Sequence, residues 1–485
     1  MRNVRFISLL VMVSLLTAAC GTTAQPSDTA DITSDSPETT AETTNDFTSY
    51  IAQEDFDGAT YNILGRADGD LASLYAYELT TDTENGDIIN DTVYQRNAKI
   101  CEYFNINITS ELLGRDEMAA AVKTSVMAGD NRYDLLWGSI VVMPSLATGG
   151  YLRNLYDLDE LSLDMPWWNQ TVVESLTIDG KLPLAFCDIP FTSMLFTHCM
   201  FVNNRLADEY LDENIYDIVN DGRWTMDKCL TVTADLNNDV NGDTIYDEND
   251  FYGFMSSYGA IGIFSTSGGQ HVLDIGADNS VTLTIMTDAM QSIVDKTYKL
   301  AYDNNSSYIA DNSLEGEIAR MFADGQSLFY SGFLSDPLLY FRDMPDDFML
   351  IPFPKYDEAQ NGYYTSISGG NGMLAMPQTL RDERFTATIT EALAIESYQN
   401  LRPAVYETVM VGKLLRDEES YSMFETIING IKIDFGWLYT DKGFGRTLRD
   451  LMQKRTTDLS SYYSSREAMA EQYYKDVINA YTGEN

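Results

Sequence analysis

The segment Asp239-Val-Asn241-Gly-Asp243-Thr-Ile245-Tyr-Asp247-Glu-Asn-Asp250 sets side-chain oxygens at positions 1, 3, 5, 9 and 12 of a loop, with the Ile245 carbonyl at position 7. A twelve-residue calcium loop wraps a hard cation in about six to eight oxygens at that spacing. Asp239, Asn241, Asp243, Ile245, Asp247 and Asp250 are therefore expected to hold a structural Ca2+. Two positions depart from the pattern: Thr244 stands where a glycine usually makes the sharp turn, and Asp250 is one methylene shorter than the usual glutamate. No nucleophile or general acid accompanies the loop, so the ion's role there is structural.

Other chemistry is sparse. The histidines, His198 and His271, stand in no hydrolytic or metal-ligating motif. Cys101, Cys187, Cys199 and Cys229 form no CxxC pair and read as free thiols rather than a zinc site or disulfide scaffold. Acids outnumber bases 74 to 31 for a formal charge of −43, which excludes a nucleic-acid partner because phosphate binding needs Lys and Arg to displace counterions.

The fifth cysteine, Cys20, sits differently. Arg2 and Arg5 lead, an apolar run from Phe6 to Leu16 follows, and Thr17, Ala18 and Ala19 precede the cysteine. This is the form of an export signal over residues 1–19, too short to span a bilayer as a mature helix. The stretch LLTAACG resembles a bacterial lipobox, with Thr17 where leucine is usual, which implies a lipid on Cys20 and a protein anchored at the extracellular face of the membrane. Residues 20–56 are rich in Ser, Thr, Asp, Glu and Ala without an apolar period, and are expected to form a disordered acidic tether.

Strand and helix patterns alternate beyond the tether. Ala59–Leu64 reads as a strand; Ile89, Val93, Ile100 and Phe104 share a helical face; Ile106–Leu112 is a second strand. Met118, Val122 and Val126 repeat at helical spacing up to Gly129, and Tyr133–Trp137 is a third strand. This β-α-β-α-β order predicts a parallel sheet covered by helices, with ligand beyond the carboxyl ends of the strands. Arg66, Asp68, Trp137 and Ser139 occupy those ends and are the expected polar and stacking contacts of the first lobe.

Several longer segments carry a family likeness. ELTTDTENGDIINDTVYQRNAKICEYFNINIT, MPWWNQTVVESLTIDGKLPLAFCDI, CMFVNNRLADEY, GRWTMDKCLTVTADLNNDVNGDTIYDENDFYGF and IPFPKYDEAQNGYYTSISGGNGMLAMP resemble the extracellular solute-binding lipoproteins of ATP-binding-cassette importers, in the sugar-type family 1 of Gram-positive bacteria. The resemblance runs from about Thr60 to about Asp476. It implies an α/β, two-lobed periplasmic-binding-protein-like fold of type II, each lobe a mostly parallel sheet flanked by helices, joined by hinge strands. Lobe 1 would comprise 57–196 plus 355–432, and lobe 2 would comprise 197–354 plus 433–485. It further implies a monomer that is not an enzyme, a carbohydrate ligand in the cleft, an oligosaccharide by preference, and the permease subunits of an ABC importer as partners. The segment GQSLFYSGFLSD resembles the place where maltose-binding-type proteins present an aromatic to sugar, which implicates Tyr330, Phe333 and Asp336. Gly369 and Asn371, just past the return crossover, are implied as further ligand contacts. Trp224 and Thr225 read as a packing residue and a helix cap, and Trp167 and Trp168 as core. Two other readings stay open on sequence: a secreted calcium-containing hydrolase with two carboxylates facing a sugar, and a same-fold receptor for a peptide or other polar solute.

Overall fold

The computed structural model describes residues 46–67, 72–410 and 418–483. The export signal, Cys20 and the expected ligand residue Asp68 lie outside the described residues. Among those described, no helix is long and apolar enough to cross a membrane.

The chain begins lobe 1 with strands β1 (Ala59–Arg66), β2 (Ile106–Leu113) and β3 (Leu135–Ser139). It then enters lobe 2 with β4 (His198–Asn203), β5 (Asn237–Asn238), β6 (Phe251–Ser257), the hairpin β7 (Leu273–Ile275) and β8 (Val281–Leu283), β9 (Ser307–Ala310), β10 (Ser327–Phe333) and β11 (Phe348–Ile351), and returns with β12 (Gly372–Ala375). The lobe 1 sheet has the order β12-β3-β1-β2, with β1 parallel to both neighbours and β12 antiparallel to β3. The lobe 2 sheet has the order β11-β4-β10-β6-β5, with β9 parallel to β6. Parallel strands need crossover helices, and these bury the faces that the apolar spacing marks. The helix Ile88–Phe104 buries Ile89, Val93, Ile100 and Phe104, starts at the Asp87 cap and ends at left-handed Asn105. The helix Arg115–Ala128 buries Met118 and Val122 and ends at left-handed Gly129.

Two expectations on extent need correction. Residues 46–56, assigned to the tether, are folded against lobe 1: Phe47 is fully buried with its ring 5.0 Å from Tyr103, and Tyr50 packs edge-on to Trp167. Two isolated aromatics in an acidic stretch carry no period, so the sequence gives no sign of the element they anchor. The return crossover also lies later than 354–355. Lys355 still bridges Thr225 in lobe 2, and the Gln360 amide donates to the Ser267 carbonyl there. The chain crosses at 365–367, where Thr197 pairs with Ile367 and Thr365 with Ile431. Three passes of the chain thus lie side by side as the hinge.

Elsewhere the reading of single residues and the coordinates coincide. The Trp224 indole is buried and donates to the Pro352 carbonyl, while the Thr225 hydroxyl caps the helix Met226–Thr233. The indoles of Trp167 and Trp168 both donate to the Glu391 carboxylate inside lobe 1. The four body cysteines are free, and all but the half-buried Cys101 are buried.

Candidate functional site

The hinge positions the floor of an interlobe cavity. His198 is the first residue of β4, its N–H donates to the Ser366 carbonyl, and its own carbonyl accepts from the Thr365 hydroxyl. Its imidazole is 4.4 Å from the Phe333 ring at the end of β10, and both face a cavity of about 650 Å³. A cavity of that size suits a small polar solute.

Walls rise at the carboxyl ends of the parallel strands, as an open α/β sheet dictates. From lobe 1 come the turn after β3, with Ile140 and Val141, the helix Met143–Thr148 that follows it, with Ser145, and the Ser368–Gly370 loop before β12. From lobe 2 come the turns after β6 and β9, which supply Gly259, Asn312 and Glu315. The chain beyond the third crossing adds Trp437, Asp441, Arg446 and Arg449, and the helix Glu467–Thr482 adds Tyr473 and Asp476.

The polar groups are held by local bonds that leave capacity for a guest. The Ser257 hydroxyl donates to one Glu315 oxygen at 2.8 Å. Burial pushes the Glu315 carboxyl up, and the Ser257 bond and the Arg449 charge oppose that shift. The Asn312 carbonyl oxygen accepts from the Gly259 N–H at 2.8 Å. Arg449 Nε, Thr440 Oγ1 and His198 Nδ1 are buried without a protein partner. Burial pulls the His198 imidazole down to about 3, so it is neutral at ordinary pH and offers one hydrogen bond without charge. Aromatic faces beside hydroxyl-seeking polar tips can stack on an apolar ring face and bond its edge.

A family profile described as bacterial extracellular solute-binding protein matches residues 98–400. The chain belongs to this family. No curated protein resembles the chain closely enough in sequence to count as a match. Among solved structures, UspC from M. tuberculosis is 13% identical with a TM-score of 0.54, over 85% of this chain and 100% of that one. A cyclo/maltodextrin-binding protein complexed with maltotetraose is 11% identical with a TM-score of 0.52, over 88% of this chain and 97% of that one. At these identities the likeness is one of fold: this solute-binding protein shares their two-lobed α/β architecture.

The structure brings only some of the expected ligand residues to the cavity. Phe333 and Gly369 line it. The other described ones are corrected. Arg66 is buried behind the wall, where its guanidinium donates to the Gly370 carbonyl at 2.5 Å and lies over the Tyr75 ring. It positions the Ser368–Gly370 loop rather than facing solute. Trp137 is 1% exposed, its indole packed so closely under Gly372 that any side chain there would meet it. Ser139 is buried and accepts the Val141 N–H, and the Asn371 amide donates to the Ser193 carbonyl. Tyr330 points into an aromatic cluster with Phe201, Phe322 and Phe341, and its hydroxyl donates to Asp336, which also accepts the Phe333 N–H. Both are core groups that fix the Phe333 backbone. Burial pushes the Asp336 carboxyl up to about 7.

Trp437, Glu315, Arg449 and Tyr473 carry the site and were not singled out by sequence. Trp437 lies in the glycine-punctuated stretch FGWLYTDKGFGR, the one signal that could have drawn attention to a loop built for close approach.

The 239–250 loop lies on lobe 2 between β5 and β6. Thr244 takes the left-handed conformation (φ 69°) that the missing glycine would supply. Its acids are turned to backbone amides: Asp239 accepts from Gly242 and Thr244, and fully buried Asp250 accepts from Val240 and Asp247, each at 2.9 Å. Among the described residues no three Asp, Glu, His or Cys side chains converge as a metal site.

Proposed function

We propose that this solute-binding protein captures a carbohydrate, an oligosaccharide by preference, in the interlobe cavity and delivers it to an ABC permease, without catalysis, from a lipid anchor on Cys20. The observation that carries the sugar reading is the composition of the cavity. Phe333, Trp437 and Tyr473 supply ring faces, while Glu315, Asn312 and Arg449 supply acceptors and donors around them. Ring faces suit the C–H surface of a pyranose and the polar groups suit its hydroxyls. The fold relative complexed with maltotetraose makes that glycan the first probe. Contacts to both lobes exist only when the lobes meet, so a bound sugar shifts the hinge equilibrium by its differential affinity.

Calorimetric titration with maltotetraose and a panel of mono- and oligosaccharides tests the reading. Stoichiometric binding with no product released supports a receptor; cleavage of the glycan would assign an enzyme instead. A calcium ion at residues 239–250 is a proposal that rests on ligand spacing, and thermal shift with calcium and with chelator tests it.

A further inference from the structure

We infer that Lys181 of lobe 1 is a latch that grips the terminal helix of lobe 2 and thereby sets how firmly the cavity is held between the lobes. The helix Glu467–Thr482 belongs to lobe 2 by its bonds. The Tyr474 hydroxyl donates to the Gly436 carbonyl at 2.9 Å and accepts the Phe444 N–H at 3.0 Å, and neighbouring Asp434 accepts the Val272 N–H of lobe 2 at 3.1 Å. The helix also packs on β8. Its inner face, through Tyr473 and Asp476, is a wall of the cavity, and it touches the lobe 1 helix Met143–Thr148, which lines the opposite side.

At its C-terminus the helix meets lobe 1 directly. Lys181 Nζ donates to the Tyr481 carbonyl at 2.9 Å and to the Thr482 carbonyl at 3.0 Å. The last carbonyls of a helix lack intrahelical partners and carry the negative end of its dipole, so an ammonium there satisfies them and is attracted to them. Lys181 is held in place to do so: its backbone exchanges two hydrogen bonds with Ile178, and the next residue, Leu182, donates to the Asn154 side chain.

Lobe separation therefore either breaks two charge-assisted bonds or drags the helix out of the cavity wall. Both oppose opening, so the latch favours the arrangement in which solute touches both lobes. Lys181 does not line the cavity; it is a positioning residue, and its effect appears in the lobe equilibrium and in the release rate.

The test uses the intact protein and Lys181→Met, with Lys181→Arg as the conservative variant that keeps the charge and the donors. Small-angle scattering without ligand is expected to show a larger radius of gyration for Lys181→Met and a value near the native one for Lys181→Arg. Maltotetraose binding, which rests on the sugar reading above, is expected to weaken about fivefold to tenfold in Lys181→Met through faster dissociation, with Lys181→Arg close to native. Native scattering and native affinity in a folded Lys181→Met would overturn the latch, and so would tighter binding. Should no glycan bind the native protein, the sugar reading fails while the scattering comparison still decides the latch.

Discussion

A side chain built at Gly369 would meet nothing within 4 Å, and the backbone there lies outside the left-handed region, so substitution leaves the fold unstrained and projects into the cavity. Gly369→Leu is expected to keep stability within about 0.5 kcal/mol, as for other open positions. It should weaken sugar capture at least about tenfold, or about 1.4 kcal/mol, read by calorimetry beside a melting curve. His198 makes the opposite kind of prediction. Its folded-state imidazole is pulled down to about 3 from an ordinary 6.5, so the unfolded chain binds the proton first. The stability this contributes is complete above about pH 6.5 and is lost as pH falls toward 3. Denaturant titrations of the native protein and of His198→Phe, which keeps an aromatic ring against Phe333, should show that contribution as the difference between the two, shrinking as pH falls from 7 to 4. Which side chains reach the cavity was only partly legible. The strand Ser327–Phe333 is buried on both faces until its last residue, so alternation does not distinguish Tyr330, which faces the core, from Phe333, which faces the cavity. Trp137, expected at a strand end, lies instead in the middle of β3, which is buried along its whole length. Trp437 reaches the cavity only because the chain crosses the hinge a third time, a contact that no local pattern encodes.

At the scale of elements, periodicity carried the reading where an apolar face is long enough to repeat. The helix Ile88–Phe104 buries the residues that its spacing marks, and its neighbour Arg115–Ala128 buries Met118 and Val122 and half-buries Val126. It failed where one or two residues do the anchoring. Phe47 is the sharpest case, and Phe47→Ala should destabilise the protein by about 3 to 5 kcal/mol in urea titration, as for a buried aromatic and unlike any residue of a tether. The 239–250 loop poses a different question, because its side-chain spacing suits an ion while its acids also bond the loop's own amides. Asp250 spends both carboxylate oxygens on the Val240 and Asp247 amides and is fully buried. With chelator, Asp250→Ala should cost about 3 kcal/mol, the loss of two hydrogen bonds to a buried acceptor, and the proposed ion adds a calcium-dependent loss; an equal cost with calcium and with chelator would retire the ion site. If calcium raises the native melting temperature and Asp250→Ala removes only that increment, the loop is an ion site and its hydrogen bonds are those of the empty form.

For the molecule as a whole, the excess of 43 negative charges and the buried carboxyls push stability in the same direction with pH. Glu78 is fully buried, accepts the Thr192 hydroxyl and feels the charge of Arg66, which itself donates to the Gly370 carbonyl. Burial pushes its carboxyl up to about 8, against the opposing pull of the Thr192 hydroxyl, the Arg66 charge and the Trp137 indole. A carboxyl whose folded value is raised keeps its proton in the folded state after the unfolded chain has released it. Its stabilising contribution is complete below about pH 4.5 and is lost as pH rises toward 8. Asp336, raised to about 7, adds the same sign. Stability measured by denaturant titration should therefore fall steadily from pH 5 to pH 8. Glu78→Gln keeps an acceptor for Thr192 and has no proton to release, so it should remove about 1.4 kcal/mol per pH unit from that slope. The same substitution separates scaffold from cavity. Glu78 reaches solute only through Arg66 and the loop, so the variant should bind sugar with near-native affinity at pH 6, where native Glu78 is already neutral. It should hold that affinity at pH 8.5, where the native protein, with a charged Glu78 drawing on Arg66 and loosening its bond to Gly370, should bind more weakly. Equal pH dependence of binding in the two proteins would mean that the loop is held without reference to Glu78.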